Sequence, residues 1–468
     1  MEAVMIKDIL EYTGGELAAG SQDAEIGSIS TDSRTIKEGQ LFIALRGENF
    51  DGHEFIGDAL AAGCGGFVAS RDSRIPRRLS AGAAGIIVED TTKALGDIAA
   101  GYRSRFNVRV VGVTGSNGKT TTKEMIARIS SGRYGTLKSR GTFNNQVGLP
   151  LTLLELDGRH EVAVLEMGAS RRGDIAYLAG IAVPSIGVIT NVSPAHYGYF
   201  KSIEAVAATK EELLAALAGE RMAVLNGDDE LLAGAGKRHT GPKLFFGAGG
   251  RCDVRAEDVR VGPDGRPCFR IATRGGEPSQ PILLGAVGRH NIFNALAAAC
   301  VGLFLRLDLE DIAASLDGFG GLPMRMQRSV VAGVTIINDA YNANPASVEA
   351  ALRTFASMDI HGKRFVLMGD MLELGEITQL AHRRAGMLAG ELGMDGLVGV
   401  GRLVQDAVRG CREVSTACAC TASSKEEAVD ILAGKLEEGD ALLIKGSRKN
   451  RLEECAELLG ARLGGGPG

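Results

Sequence analysis

No apolar run in the chain approaches the roughly 20 residues that a membrane-spanning helix needs. The longest, residues 295–305, reads as a buried helix. Charge of one sign is also lacking: 52 Lys and Arg against 57 Asp and Glu leave a net −5 with no basic tail, so nothing points to a nucleic-acid surface. Residues 1–10 carry Glu2, Lys7 and Asp8 and have no basic segment followed by an apolar stretch. No export signal is expected, and the expected location is the cytoplasm. The eight cysteines (Cys64, Cys252, Cys268, Cys300, Cys411, Cys418, Cys420 and Cys455) form no CxxC pair and have no histidine nearby, so reduced thiols are expected. Cys418 and Cys420 lack the second pair that a metal site of this kind needs. There is no repeat or low-complexity segment apart from the glycine-rich tail 464–468, which is expected to fray.

What remains is an ordinary folded composition on a long chain. Hydrophobic residues make up 45% and charged residues 23% of the 468 positions, and 65 glycines suggest many tight turns and phosphate-type loops. That length implies about three domains. Short strands and turns fill residues 1–106, including 39–45 and 66–69. From 108–113 onward, continuous apolar strands at 162–165, 186–190 and 222–225 alternate with helical stretches, which indicates a parallel sheet covered on both faces. Gly318-Phe319-Gly320-Gly321-Leu322-Pro323 reads as a hinge. Beyond it, strands at 334–338, 364–368, 396–400 and 441–444 suit a doubly wound fold with ligands at the carboxyl ends of the strands.

Thr114-Gly115-Ser116-Asn117-Gly118-Lys119-Thr120 joins the strand at 108–113 to the helical stretch 121–129. In that setting backbone N–H groups and a helix N-terminus cradle phosphates. Gly115, Ser116, Asn117, Gly118, Lys119, Thr120 and Thr121 are therefore the expected ATP contacts, with Lys119 on the outer phosphates and the Thr120 hydroxyl on Mg²⁺. The strict G-x-x-x-x-G-K-[ST] spacing is not met, because Val113 stands at its first glycine. A plain glycine turn, however, would not need the Lys-Thr pair.

Other residues read two ways when taken alone. Glu166, ending a strand, is either a Mg²⁺ ligand or a capping or surface acid. His196 is a loop histidine, and Lys210 is a helix-surface partner for Glu211 and Glu212. Asn144 and Asn145 suit a turn. Asn291 and Asn294, three apart and so on one face, suit helix caps. Ser33, Arg34 and Arg46 can donate to phosphates or carbonyls, or form a surface turn.

The short loop TGSNGKTTT after a VVGV strand resembles that of the Mur ligase family, and further segments similar to that family follow in order across nearly the whole chain. Asp339-Ala340-Tyr341-Asn342-Ala343-Asn344-Pro345 resembles the members that add D-alanyl-D-alanine. The Asn-Pro-Arg motif of members that add meso-diaminopimelate is not found. The resemblance implies an α/β protein of three domains: a small N-terminal α/β UDP-binding domain (1–106), a central P-loop-type parallel-sheet domain that binds ATP (107–321), and a C-terminal Rossmann-like domain (322–468). It implies an ATP-dependent carboxylate-amine ligase; a monomer is the default expectation. The substrates implied are UDP-N-acetylmuramoyl-tripeptide and D-alanyl-D-alanine, joined through an acyl phosphate in peptidoglycan precursor synthesis.

Residue roles follow from the same resemblance. Thr120, Glu166, His196 and Lys210 would serve Mg²⁺, with Lys210, in the run Ala207-Ala208-Thr209-Lys210-Glu211-Glu212, as a CO₂-derived carbamate. Asn291 and Asn294 would border the adenine. Arg325 would close onto the ATP phosphates, Asp339 would hold the ribose, and Tyr341 would stack or hydrogen-bond. Ser33, Arg34, Arg46, Asn144 and Asn145 would contact the UDP-linked peptide. Asn342, Asn344, Lys445 and Ser447, with residues 368–375, would frame the dipeptide. The run Tyr197-Gly198-Tyr199-Phe200 after His196 departs from the family's usual Leu-Glu continuation. Two alternatives are a ligase of the folylpolyglutamate synthase type and a P-loop protein that uses ATP only to change conformation. The UDP-type motifs and residues 341–345 weigh against the first, and the lack of a membrane-coupling segment against the second.

Overall fold

The computed structural model describes residues 1–47, 49–73, 83–194 and 197–464; Glu48, His196 and the tail residues 465–468 lie outside the described residues. Three main sheets follow one another along the chain. The first has five strands in the order Glu16–Ala19, Ala84–Val88, Gly66–Ser70, Leu41–Ile43 and Ile29–Ser30, all parallel except the first pair. Its two central strands are buried at every position. The helix Thr91–Arg103 leads out of this sheet, with the Asp90 carboxylate accepting from the N–H groups of Thr92 and Lys93.

Near the end of that helix, Tyr102 is fully buried. Its hydroxyl donates to the Leu156 carbonyl at 2.6 Å and accepts from the Glu2 N–H at 2.6 Å, tying the first sheet's helix to the chain around the second. Tyr102→Phe leaves both backbone groups without this partner. It is expected to cost about 1–3 kcal/mol, read as a lower urea midpoint with an unchanged m-value; an unchanged midpoint would remove this tie from the account.

The second sheet has nine strands in the order Ile282–Leu283, Pro267–Thr273, Val254–Val261, Lys243–Gly247, Met222–Asn226, Ile186–Ile189, Arg109–Thr114, Val162–Glu166 and Thr136–Lys138. The strands around its centre are continuous apolar runs because helices cover both faces. Register brings their carboxyl ends to one level: Glu166 pairs with Val113, and Ile189 with Thr114. The far edge departs from the all-parallel expectation. Val254–Val261 is parallel to Lys243–Gly247 but pairs antiparallel with Pro267–Thr273, which pairs antiparallel with Ile282–Leu283, and the outer half of Val254–Val261 is largely solvated. The apolar run at 295–305 falls in a buried helix, His290–Phe304, packed on the helix Lys119–Ser131.

The third sheet orders its strands Gln327–Val331, Val334–Asp339, Ala441–Lys445, Arg364–Gly369, Gly396–Val400 and Cys418–Ala422, parallel except at the first pair. The last strand in sequence lies between earlier ones, as in doubly wound sheets. This insertion sets Asp339 directly against Lys445. All eight cysteines are free thiols. Among the described residues no helix is long and apolar enough to cross a membrane.

Candidate active site

The site begins where the strand Arg109–Thr114 ends. Gly115 has φ 147°, and a Cβ there would meet the Thr190 hydroxyl at 1.8 Å, so the loop can pass under Thr190 only as glycine. Backbone and side chains from the neighbouring strand end hold the loop: Ser116 N–H donates to the Asn191 carbonyl, Ser116 Oγ to the Ser193 carbonyl, and Asn117 N–H to Asn191 Oδ1 at 3.0 Å. Gly118, at φ 81°, precedes the helix Lys119–Ser131. Lys119 Nζ donates to the carbonyls of Gly115 (2.8 Å) and Ser116 (3.3 Å), which puts the ammonium inside the loop. Burial lowers its pKa, the charge of Glu166 opposes that shift, and Arg325 adds to it.

Above the loop lies a cavity of about 460 Å³. Asn117, Gly118 and Thr121 form its floor, Asn226, Asp228, Asp229 and Phe246 come from neighbouring strand ends, and His290, Phe293 and Asn294 from the apolar helix. Arg325, Asp339 and Lys445 close it from the third sheet. Asn294 and Asn291 are linked at 3.0 Å, and Asn294 accepts from Thr122 at 3.2 Å. Asp339 ion-pairs with Lys445 at 2.7 Å and accepts from Met326 N–H at 3.0 Å. A Cβ on Gly118 would sit 2.3 Å from Asn294 Oδ1. Gly118→Ala is therefore expected to raise the KM for ATP roughly tenfold through backbone strain and displaced Asn294. An ATP titration showing no change would separate this loop from the nucleotide.

Contacts between the second and third sheets meet at the same loop. Arg325 Nη2 donates to Thr120 Oγ1 at 2.9 Å, and its guanidinium lies 4.1 Å from the centre of the Tyr341 ring. Tyr341 OH donates to Thr142 Oγ1 at 2.8 Å, and Asn344 Nδ2 to Asn117 Oδ1 at 2.8 Å. Asn344 also caps the helix Pro345–Ala356, and Lys445 Nζ donates to the Asn342 carbonyl at 2.7 Å. Ser447 is buried, and its hydroxyl accepts from Leu372 N–H at 2.9 Å, joining the loop after Arg364–Gly369 to this cluster.

On the other side of Lys119 stand Glu166 and Lys210. Glu166 is 1% exposed. Its Oε1 accepts from Asn144 Nδ2 at 2.7 Å, while its Oε2 is buried with no hydrogen-bond partner. Lys210 lies on the helix Ile203–Ala215 and is 5% exposed. Desolvation, then the like charge of Lys119, pushes its pKa down to about 7. The reading of Lys210 as a surface partner for Glu211 and Glu212 is thus corrected. Glu211 pairs with Arg238 at 2.7 Å, and Glu212 accepts from Gly173 and Ala176 N–H groups, because the helix turns Lys210 inward and both acids outward. Glu166 is likewise neither a helix cap nor a surface acid. Among the described residues no group of three or more His, Cys, Asp or Glu is poised for a metal, so a cation here would need mixed ligands.

The remaining candidates stay apart from this cluster. Asn145 Oδ1 accepts from Val147 and Gly148 N–H groups and shapes its own turn. Arg34 forks onto Asp32, whose carboxyl this pairing holds well below the ordinary range. Arg46 forks onto Asp72 at 3.0 Å to each oxygen and reaches Asp51 at 3.2 Å. Ser33 lies in the same turn as Arg34, half-buried. Sequence reasoning missed Asp228, Asp229 and Phe246. An Asn-Gly-Asp-Asp turn directly after a buried parallel strand was the available signal, since ligands gather at such strand ends.

Comparison with known proteins agrees with this geometry. Residues 113–302 match the Mur ligase middle domain, residues 324–448 the Mur ligase, glutamate ligase domain, and residues 25–103 the Mur ligase family, catalytic domain. The UDP-N-acetylmuramoyl-tripeptide–D-alanyl-D-alanine ligase of Bacillus subtilis (strain 168) is 34% identical over 97% of this chain and 98% of its own length. The protein of the same name from Escherichia coli (strain K12) is 33% identical over 98% and 99%. A crystal structure of MurF from Acinetobacter baumannii superposes with a TM-score of 0.88 at 32% identity, covering 98% of this chain and 99% of that one. The MurF ligase of Thermotoga maritima, solved in complex with ADP, gives 0.82 at 29% identity, covering 93% and 97%. The chain belongs to the Mur ligase family.

Proposed function

We propose that this enzyme joins D-alanyl-D-alanine to UDP-N-acetylmuramoyl-tripeptide at the expense of ATP, forming the pentapeptide precursor of peptidoglycan, ADP and phosphate. The observation that carries the reading is one cluster: the looped Lys119, the partnerless oxygen of Glu166 and the buried Lys210, with Arg325 reaching over from the third sheet. The names of the full-length relatives support the choice of substrates.

A carboxylate resists attack by an amine at neutral pH. One of its oxygens therefore attacks the γ-phosphorus, the bond to the bridging oxygen breaks, and ADP leaves. The dipeptide amine then attacks the acyl carbon and loses a proton, and phosphate departs with the former carboxylate oxygen. Lys119 and Arg325 hold positive charge against the transferring group, so this chain contributes position and electrostatics and forms no covalent bond to the substrate. Asp339 and Lys445, one ion pair on the cavity wall, suit the ribose side of the nucleotide. Asn291 and Asn294 suit its base.

Mg²⁺, when bound, neutralises phosphate oxygens and polarises the phosphorus. The Thr120 hydroxyl, Glu166 Oε2 and Lys210 as a carbamate are the residues that would hold it, with His196 a further candidate. The chemistry of Lys210 supports that set. An amine with a pKa of about 7 is largely free base at slightly alkaline pH. That free base adds to CO₂ with loss of one proton, which turns a neutral amine beside Lys119 into an anion. The reading assigns the reaction to the cytoplasm, where ATP is made available.

A phosphate-release assay with UDP-muramoyl-tripeptide and a panel of D-dipeptides tests the proposal. Phosphate is expected in equal amount to amide product, and only when ATP, the UDP-tripeptide and D-alanyl-D-alanine are all present. Phosphate release that proceeds unchanged without the other two would instead mark a plain ATPase.

A further inference from the structure

The segment between the edge strand Thr136–Lys138 and the helix Gly148–Leu153 is strapped across the carboxyl end of Val162–Glu166. Several ties hold it there. Lys123, on the helix that follows the phosphate loop, is completely buried, and its ammonium donates to the carbonyls of Ser139 and Gly141 at 2.7 Å each. Ser139 in turn donates its N–H to the Val164 carbonyl and accepts the Glu166 N–H on its hydroxyl at 3.1 Å. Further on, Thr142 accepts from Tyr341, and the Asn144 carbonyl accepts from Gly168 N–H at 2.8 Å. A Cβ at Gly168 would come within 2.9 Å of the Asn144 amide, so the backbone just past Glu166 fits closely against this side chain.

All of these ties fix the place from which Asn144 Nδ2 donates to Glu166 Oε1. A buried carboxylate held by a single donor has two interchangeable oxygens unless that donor is itself fixed. Here it is fixed, and Oε2 is the oxygen left without a partner.

We propose that Asn144 is a positioning residue for Glu166: its strapped amide occupies one carboxylate oxygen and presents the other to a divalent cation. The inference rests on the reading of Glu166 as a metal ligand. It differs from a direct contact between Asn144 and the UDP-linked peptide, which the two readouts below distinguish. An outer partner that orients a ligating group changes metal affinity by roughly 10- to 100-fold when removed.

The experiment titrates Mn²⁺ by electron paramagnetic resonance into the full-length protein with a non-hydrolysable ATP analogue. Asn144→Ala and Asn144→Leu are compared with the parent, alongside the KM for UDP-tripeptide at saturating metal. Both variants change a half-buried side chain on a strap tied elsewhere, and circular dichroism melting checks that they fold. The expected result is Mn²⁺ affinity weakened roughly 10- to 100-fold in both, with the KM for UDP-tripeptide nearly unchanged. Unchanged Mn²⁺ affinity overturns the proposal, and a raised KM with unchanged Mn²⁺ affinity overturns it in favour of direct substrate contact. Glu166→Gln serves as the control. If it too leaves Mn²⁺ binding intact, the metal-ligand reading itself fails; if it weakens binding while the Asn144 variants do not, only the positioning role fails.

Discussion

Lys119→Met is expected to lower kcat for ligation by roughly 10³-fold or more while leaving the melting temperature unchanged or slightly raised. The substitution keeps the length and most of the packing of the side chain and removes one charge. In the structure that charge lies inside the loop, on the carbonyls of Gly115 and Ser116, at the floor of the cavity that Arg325 closes. Transfer of a phosphoryl group spreads negative charge over its oxygens, and a fixed cation at that point stabilises the transition state more than the ground state. Stability behaves differently because desolvation already depresses the Lys119 pKa. A half-buried cation desolvated in this way costs the fold free energy, so its loss does not weaken the protein. Single-turnover phosphate release paired with thermal melting reads both quantities. A variant with near-normal kcat would move the phosphate site away from this loop.

Lys210 gives the second large effect, and its pH dependence has a definite sign. The folded pKa is about 7, against an ordinary value of 10.5. Between those two values the unfolded chain holds a proton that the folded chain does not, so stability rises with pH through that window. Below pH 7 the burial cost of the cation is present in full. Lys210→Met, which removes that cost, is therefore expected to melt higher than the CO₂-stripped parent at pH 6, although its ligase activity is lost. In the parent, stripping CO₂ is expected to reduce kcat and added bicarbonate to restore it. At equal dissolved CO₂, restoration should be faster at pH 8, where roughly nine-tenths of an amine of this pKa is free base, than at pH 6, where about one-tenth is. A Met variant that retains full activity, with or without bicarbonate, would remove the carbamate from the mechanism.

The features legible in the sequence are those with a local cause. Strands such as Val162–Glu166 and Ala441–Lys445 are continuous apolar runs because both of their faces are covered, and each is closed by a polar residue at the end where ligands collect. The phosphate loop is legible because strand, glycine turn, Lys-Thr pair and helix are contiguous. Asn294, Arg325 and Asp339, far apart in the chain, do line one cavity with that loop.

Features produced by register and burial were not legible. Asp228, Asp229 and Phe246 reach the cavity only because Met222–Asn226 and Lys243–Gly247 lie next in the sheet beyond Ile186–Ile189. The inward face of Lys210 is hidden in sequence by the two glutamates after it. Lys123 reads as one more helix-surface lysine, yet it is among the largest fully buried side chains. Arg46 has one acid within its own motif, Asp51, but its bidentate partner Asp72 comes from beyond the strand Gly66–Ser70. The antiparallel pairing of Val254–Val261 with Pro267–Thr273 was not legible either, because the burial of the first strand alternates only weakly.

The account turns on activation of the substrate acid as a mixed anhydride with phosphate. UDP-tripeptide carrying ¹⁸O in its reacting carboxylate, turned over with ATP and D-alanyl-D-alanine, tests this directly by mass spectrometry of the released phosphate. One ¹⁸O atom per phosphate is the predicted result. Phosphate without the label, with amide product formed at the normal rate, would contradict it.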